Sequence, residues 1–381
     1  MPSAEDGTAP LGVTEAHRYP CAECGADLRF APGQTVLKCD HCGHEQRIAS
    51  GTQAGKRVPM GELDYQRAVK SALPAEIMEE TRVTSCPNCG AQVTFDGADH
   101  AAECPFCATP VVADTGSHRH IKPQALVPFA LTEPVARDAM SQWLGRLWFA
   151  PNGLREYASK GRKLEGIYIP YWTHDADSRS RYRGQRGEHY YETRTVTVNV
   201  NGRTEQRQEQ VQKTRWYPAS GQVARQFDDV LVMASTSLPR DHSDGLEPWD
   251  LSALQPYAPD YLAGFRAEGY TVSLEDGHVI AREKIDGVIA EDVRRDIGGD
   301  VQRVESIDTV LAAETFKHVL LPIWMAAYKY RNKSYRFIVN AQTGKVQGER
   351  PWSAWKIAFA VLLGLIVAGA AAYLYALQQA Q

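Results

Sequence analysis

Charge of one sign is missing from this chain: 42 Lys and Arg stand against 46 Asp and Glu, a net of -4 over 381 residues. That balance withholds the basic footprint on which nucleic-acid affinity rests. Motor signatures are missing too. The nearest approach to a phosphate-cradling GxxxxGK[ST] loop runs from Gly51 through Gly55, Lys56 and Arg57. It is one residue short between its glycines, and Arg57 stands where a magnesium-binding hydroxyl belongs. Around Gly344-Lys345 no upstream glycine sits at the right place. No DExH-type box, GxSxG elbow, HExxH or Gly-rich dinucleotide loop occurs, so a helicase motor and the common hydrolases are excluded. The opening MPSAEDGTAP lacks the apolar region of a secretory signal, and residues 1–17 are expected to be disordered. Unpaired cysteine is the last absence.

All eight cysteines fall in four CxxC pairs: Cys21/Cys24, Cys39/Cys42, Cys86/Cys89 and Cys104/Cys107. Fourteen residues separate the inner cysteines of the first two pairs and of the last two, and the pattern repeats at an offset of 65. Two residues between ligands let one tight turn present both sulfurs to one ion, and a second turn completes a tetrahedral site. The spacing predicts two zinc ribbons, each closed by four thiolates and therefore structural, with two Zn2+ as cofactors. A disulfide framework suits short secreted chains, and a redox site needs a single CxxC. Gly25, Gly43 and Gly90 follow three of the pairs, where a knuckle turn wants positive φ.

The far end is apolar. Ile357–Leu377 holds 21 residues without a charge, about 31 Å as a helix against a hydrocarbon core of about 30 Å. Trp352, Trp355 and Lys356 precede it as membrane-interface residues, with Tyr373 and Tyr375 near its end. Lys345, Arg350 and Lys356 place the N-terminal bulk in the cytoplasm by the positive-inside rule. A stripe of Ala360, Gly364, Ala368, Ala372 and Ala376 offers a face for self-association of the anchor in lipid.

Between the ends, the pattern reads as an α+β chain: ribbon 1 over 18–50, a helical linker over 51–82, ribbon 2 over 83–113, a connector, and a mixed α+β domain over 121–350. The linker is expected to contain a helix with Leu63, Ala68, Val69 and Ala72 on one face. Thr132–Trp148 reads as an amphipathic helix capped by Thr132, with Ala136, Met140, Trp143, Leu144 and Leu147 on one face. Asn201-Gly202 predicts a tight hairpin after the alternating Thr195–Val200, and the polar run after it a solvated edge strand. Glu283–Ile297 reads as a helix, and Val319–Tyr330, Tyr335–Asn340 and Lys345–Gly348 as a meander. Ile167–Trp172 echoes Val319–Trp324 around an aliphatic-Pro-x-Trp core, which would suit two related halves.

The order of these parts resembles a bacterial family of TFIIB-type zinc-ribbon membrane proteins, often labelled primosomal protein N′ or replication factor Y and helicase-like. The segments GIYIPYW, FDDVLVMAS, YLAGF, DIGGD, FKHVLLPIW and VNAQTGKVQGERPWS carry the likeness along most of the chain. The resemblance implies an adaptor at the bacterial inner membrane, with phage-shock-protein-A-like or SPFH proteins as partners. The missing motor loop contradicts the helicase label.

Other chemistry is scattered. Ribbon 1 balances Arg18, Arg29, Lys38 and Arg47 against Glu23, Asp27, Asp40 and Glu45, and ribbon 2 has no Lys or Arg. Arg179, Arg181, Arg183, Arg186 and Arg194 interleave with Tyr182, Tyr190 and Tyr191; lipid headgroups, nucleic acid and plain solvent are the three readings. His118, His120, His174, Asp175, Asp177, Lys317 and His318 are the residues from which a catalytic site would have to be built.

Overall fold

A computed structural model describes residues 19–48, 61–70, 78–86, 91–94, 101–103, 106, 110–112, 117–150, 164–200, 203–330, 333–349 and 352–379. The fold is α+β, as the mixed patterning predicts. The first ribbon is a three-stranded antiparallel meander of β1 (Leu28–Phe30), β2 (Val36–Cys39) and β3 (Glu45–Arg47). Its inward residues Leu28, Phe30, Leu37 and Cys39 are buried, too few to close a core alone. They complete one by packing on the body. Phe30 meets Tyr261 edge-on at 5.3 Å between ring centroids, its N–H donates to the Ala263 carbonyl, and that of Gly33 donates to Phe129. Gly264, at φ +84°, permits the approach, since a Cβ there would lie 2.9 Å from Arg29 Cγ. The ribbon is thus fused to the body through a shared core.

β4 (Leu63–Asp64) and α1 (Tyr65–Lys70) follow. The linker helix begins at Tyr65, after Leu63 has joined the sheet as β4, and Asp64 caps it, accepting from the Arg67 N–H at 2.7 Å. Leu63 and Ala68 pack on the body. Val69 is 45% exposed, and Ala72 lies outside the described residues. β5 (Met78–Ser85) pairs with β6 (Gln92–Thr94) and with β9 (Ser117–Ile121), and β7 (Ala101–Glu103) pairs with β8 (Pro110–Val112). The expected connector therefore contains a strand, with His118 and His120 opposite Thr81 and Glu79.

In the body, β10 (Ala125–Leu126) leads to α2 (Glu133–Gly145), which buries Ala136, Met140 and Leu144. Thr132 occupies the cap position without making a side-chain cap bond. The main sheet is built on three long strands: β11 (Glu165–Val200), β12 (Arg203–Met233) and β15 (Val301–Tyr330). Between β12 and β15 come α3 (Arg240–Asp244), β13 (Gln255–Pro256), β14 (Arg266–Ala267) and α4 (Leu274–Ile297). β16 (Lys333–Asn340) and β17 (Val346–Gly348) finish the meander, and α5 (Ala354–Gln379) ends the chain. The sheet path is β12-β11-β15-β10-β13. β11 and β12 pair as an antiparallel hairpin with Val200 opposite Arg203; the predicted turn residues Asn201 and Gly202 lie outside the described residues. The echoing segments lie side by side rather than in two halves: Ile167 faces Ile323 and Trp172 faces His318 across one antiparallel ladder.

α4 begins nine residues before the expected Glu283. Ser273 caps it, accepting from the Asp276 N–H at 3.0 Å. Its buried stripe of Gly277, Ala281, Ile285, Ile289, Val293 and Ile297 lies along one face of the sheet. All three long strands break regularity at one level. β11 shifts register around Asp175 against both neighbours, and Asp229 in β12 and Ala313 in β15 take positive φ of 54° and 53°. Such bulges re-aim side chains, and here they separate the body from an extension of the sheet.

Candidate metal centre and apolar terminal helix

The first two CxxC pairs fold into matching knuckles. The N–H of Gly25 donates to the Cys21 carbonyl and that of Gly43 to Cys39, at 2.8 and 2.9 Å. The N–H of Cys21 returns to Ala26 and that of Cys39 to His44. Gly25 and Gly43 have φ of 73° and 77°, as the turns require. Cys21, Cys24, Cys39 and Cys42 bring four sulfurs within 4.8 Å of one another, with Cys21–Cys42 and Cys24–Cys39 at 3.5 Å. Zn–S bonds of about 2.3 Å in a tetrahedron put sulfurs about 3.8 Å apart, whereas a disulfide needs about 2.05 Å. The cluster fits a zinc ion and not a cystine. Within the set the Cys39 thiol is drawn down to about 6, chiefly by the backbone N–H of Cys42, while the crowding of the other thiols pushes Cys24 and Cys42 up. At Cys86 the N–H donates to the Ala91 carbonyl at 2.8 Å, the same five-residue offset seen at Cys21 and Cys39. Cys89, Gly90, Cys104 and Cys107 lie outside the described residues.

α5 is long and apolar enough to cross a membrane; its 26 residues span about 39 Å. Trp352 and Trp355 are 59% and 80% exposed at its start. Lys356 donates to the carbonyls of Trp148 and Ala150 at 3.1 and 2.8 Å, which ties the helix start to the loop after α2. That contact brings up Trp148, which the sequence reads only as the end of an amphipathic helix. Trp148, 75% exposed, joins Trp352 and Trp355 beside the helix, and the Phe149 ring lies 6.3 Å from that of Trp352. The sequence carries the helix to Trp148, whereas α2 ends at Gly145, because the contact that joins Trp148 to α5 spans 208 residues. Its one signal is an aromatic pair, Trp148-Phe149, just before Pro151.

The bulges gather a third group. Lys317 is buried and ion-paired to Asp229 at 3.0 Å and Glu62 at 3.3 Å. Thr315 donates to Glu62 or to Asp175, and the Asp229 N–H donates to Asp175. Burial opposes the Lys317 ammonium, but the Asp229, Asp175 and Glu62 carboxylates outweigh it and hold its pKa above the ordinary value. Behind this network His174, His278, Glu314 and Arg282 line a cavity of about 10 Å³, room for about one water. His278 pairs with Glu314 at 2.6 Å and is stacked by Tyr65 at 4.0 Å. His174 is 3% exposed and its Nε2 has no partner; burial, then His278, lowers its pKa to about 3. The sequence residues His174 and Asp175 thus meet here. His318 lies elsewhere, its Nδ1 2.7 Å from the Ile121 carbonyl oxygen, and Asp177 is exposed on the open sheet face.

The arginine run divides by strand parity. Arg179, Arg181 and Arg183 project from the face of β11 opposite α4, while Tyr182 is buried beneath α4 and donates to Asp296 at 2.5 Å. Arg186 pairs with Glu188. Tyr182 and Tyr190 therefore lie with Arg186 and Arg194 on the face opposite the arginine row, while Tyr191 shares the parity of Arg179, Arg181 and Arg183.

No family model matches the chain, and no solved structure matches it. An uncharacterized protein of Bacillus subtilis (strain 168), YdjG, is 27% identical over 343 residues, covering 89% of this chain and 92% of that protein.

Proposed function

We propose that the chain is a zinc-ribbon adaptor anchored in the bacterial inner membrane, with its bulk in the cytoplasm. It would belong with the TFIIB-type zinc-ribbon membrane proteins and dock proteins of a membrane-stress or membrane-organising system, phage-shock-protein-A-like and SPFH proteins among them. The observation that carries this reading is a preformed four-cysteine site, with two of its sulfurs exposed, on the same body as an apolar terminal helix. Cys86, Cys89, Cys104 and Cys107 would hold a second zinc. Trp148, Trp352 and Trp355 would sit among lipid headgroups, and the small-residue stripe of α5 would pack on a second anchor.

Metal analysis of protein extracted from washed membranes tests the foundation: two zinc ions per chain are expected. One ion, an iron chromophore, or release of the protein by alkaline carbonate overturns it. A second reading, nucleic-acid binding, draws on the row of Arg179, Arg181 and Arg183, none of which makes an ion pair among the described residues. Salt-dependent DNA retention by the chain lacking α5 would favour that reading; the adaptor reading expects none.

A further inference from the structure

Beyond Gly187 and Trp216 the β11–β12 hairpin leaves β15 behind and continues as a two-stranded arm. Asp300 accepts from the His189 N–H at its base; beyond that, Tyr191–Thr195 and Gln206–Gln210 are exposed. A lone two-stranded ribbon is marginal in water, so its side chains report what it is built to meet. On one face the charges are crowded and balanced: Glu192 pairs with Lys213, Arg194 stands opposite Glu209, and Val196 opposite Arg207. The other face carries no formal charge. Thr193, Thr195 and Thr197 stand opposite Gln210, Gln208 and Gln206, with Tyr191 opposite Gln212 nearer the body. These residues are exposed.

A ribbon kept soluble by water alone has no reason to sort its charge this way. An uncharged face repels an ionic partner by desolvation and offers too little apolar area to hold a hydrophobic one. Amides and hydroxyls donate and accept in equal measure, so rows of Gln and Thr are complementary to themselves, as in the amide ladders of stacked sheets. We infer that the uncharged face of the arm packs on the same face of a second copy of this chain, the two ribbons stacking at about 10 Å. The footprint sets the strength. Ten residues of a strand span about 34 Å and the ribbon is about 10 Å wide, so two copies bury roughly 700 Å². Stable complexes in solution bury about 1,200 Å² or more. The contact therefore depends on confinement of both copies to one membrane, where effective concentration replaces area. It rests on the anchored reading in that respect alone.

The test uses full-length protein in native membranes, with two differently tagged copies co-expressed. A photo-crosslinking amino acid is placed at Thr195 on the uncharged face, or at Arg194 on the charged one. A covalent dimer carrying both tags is expected from position 195, at least five-fold above position 194. Gln208→Lys in both copies should remove that dimer, and Gln208→Lys in one with Gln208→Glu in the other should restore it. Equal yields from both faces, no dimer, or an adduct to a different protein at position 195 would overturn the inference. Carbonate fractionation of the same membranes reads anchoring separately, so a chain found soluble sinks the anchored reading rather than the contact.

Discussion

His174 should make the fold acid-sensitive in a defined window. Its imidazole is 3% exposed, has an unpartnered Nε2 and a folded pKa lowered to about 3 by burial and by His278, against about 6.5 for a free histidine. A lowered histidine pKa means the unfolded chain binds the proton more readily, so stability rises with pH across the window and is lost as pH falls from about 6.5 toward 3. At pH 5 the unfolded state leads by about 1.5 pH units, or about 2 kcal/mol. For a body of this size that lowers Tm by about 4–8 °C. Thiolate protonation in the ribbons acts in the same direction, so the informative quantity is a difference. Thermal unfolding in detergent is measured for wild type and His174→Gln from pH 7 to 5. The wild type should lose those additional degrees, and the variant should not. Parallel curves would refute the buried, neutral imidazole.

Three further outcomes follow from the packing. Lys317→Met leaves Asp229, Asp175 and Glu62 without their cation; since those carboxylates keep some solvent, the loss should be on the order of 2 kcal/mol, short of the about 3–5 of fully buried pairs. Adding Asp229→Asn should recover part of it in the same thermal assay. Phe30→Ala should cost about 3–5 kcal/mol and release the first ribbon, seen as faster hydrogen exchange in β1. Gly277→Ala would place a Cβ 2.6 Å from Trp172 Cδ1. It should lower Tm despite alanine's better helix propensity, because overpacking costs about 1–3 kcal/mol against a gain of about 1.

That last residue shows where the sequence stops being readable. The hydrophobic stripe of α4 runs unbroken from Leu274, yet Gly277 and the polar His278 hide its first turns, and the helix is recognisable only from Glu283. Glycine is there because Trp172, from a strand a hundred residues away, needs the space. The hairpin is legible because Asn201-Gly202 is a local signal, but the length of its strands is not: Arg179–Gln185 and Arg203–Gln212 are too polar to mark a buried face. The cysteine knuckles are legible for the same reason as the hairpin, since each ligand pair and its glycine sit within five residues. The His174 group is the converse case. His278 and Glu314 reach it from α4 and β15, and only the bulges at Asp175, Asp229 and Ala313 turn the charges toward one another. The sequence likewise presents the first ribbon as a separate module, because Phe30 gives no sign that Tyr261 and Phe265 await it.

The adaptor reading is tested most directly by affinity capture from solubilised membranes, comparing wild type with Cys39→Ser by mass spectrometry at equal protein amount. A discrete set of proteins should accompany the wild type and fall away with Cys39→Ser, while both remain in the membrane fraction. Recovery of only nucleic acid or replication proteins, or an identical set from both chains, would contradict a zinc-held docking surface.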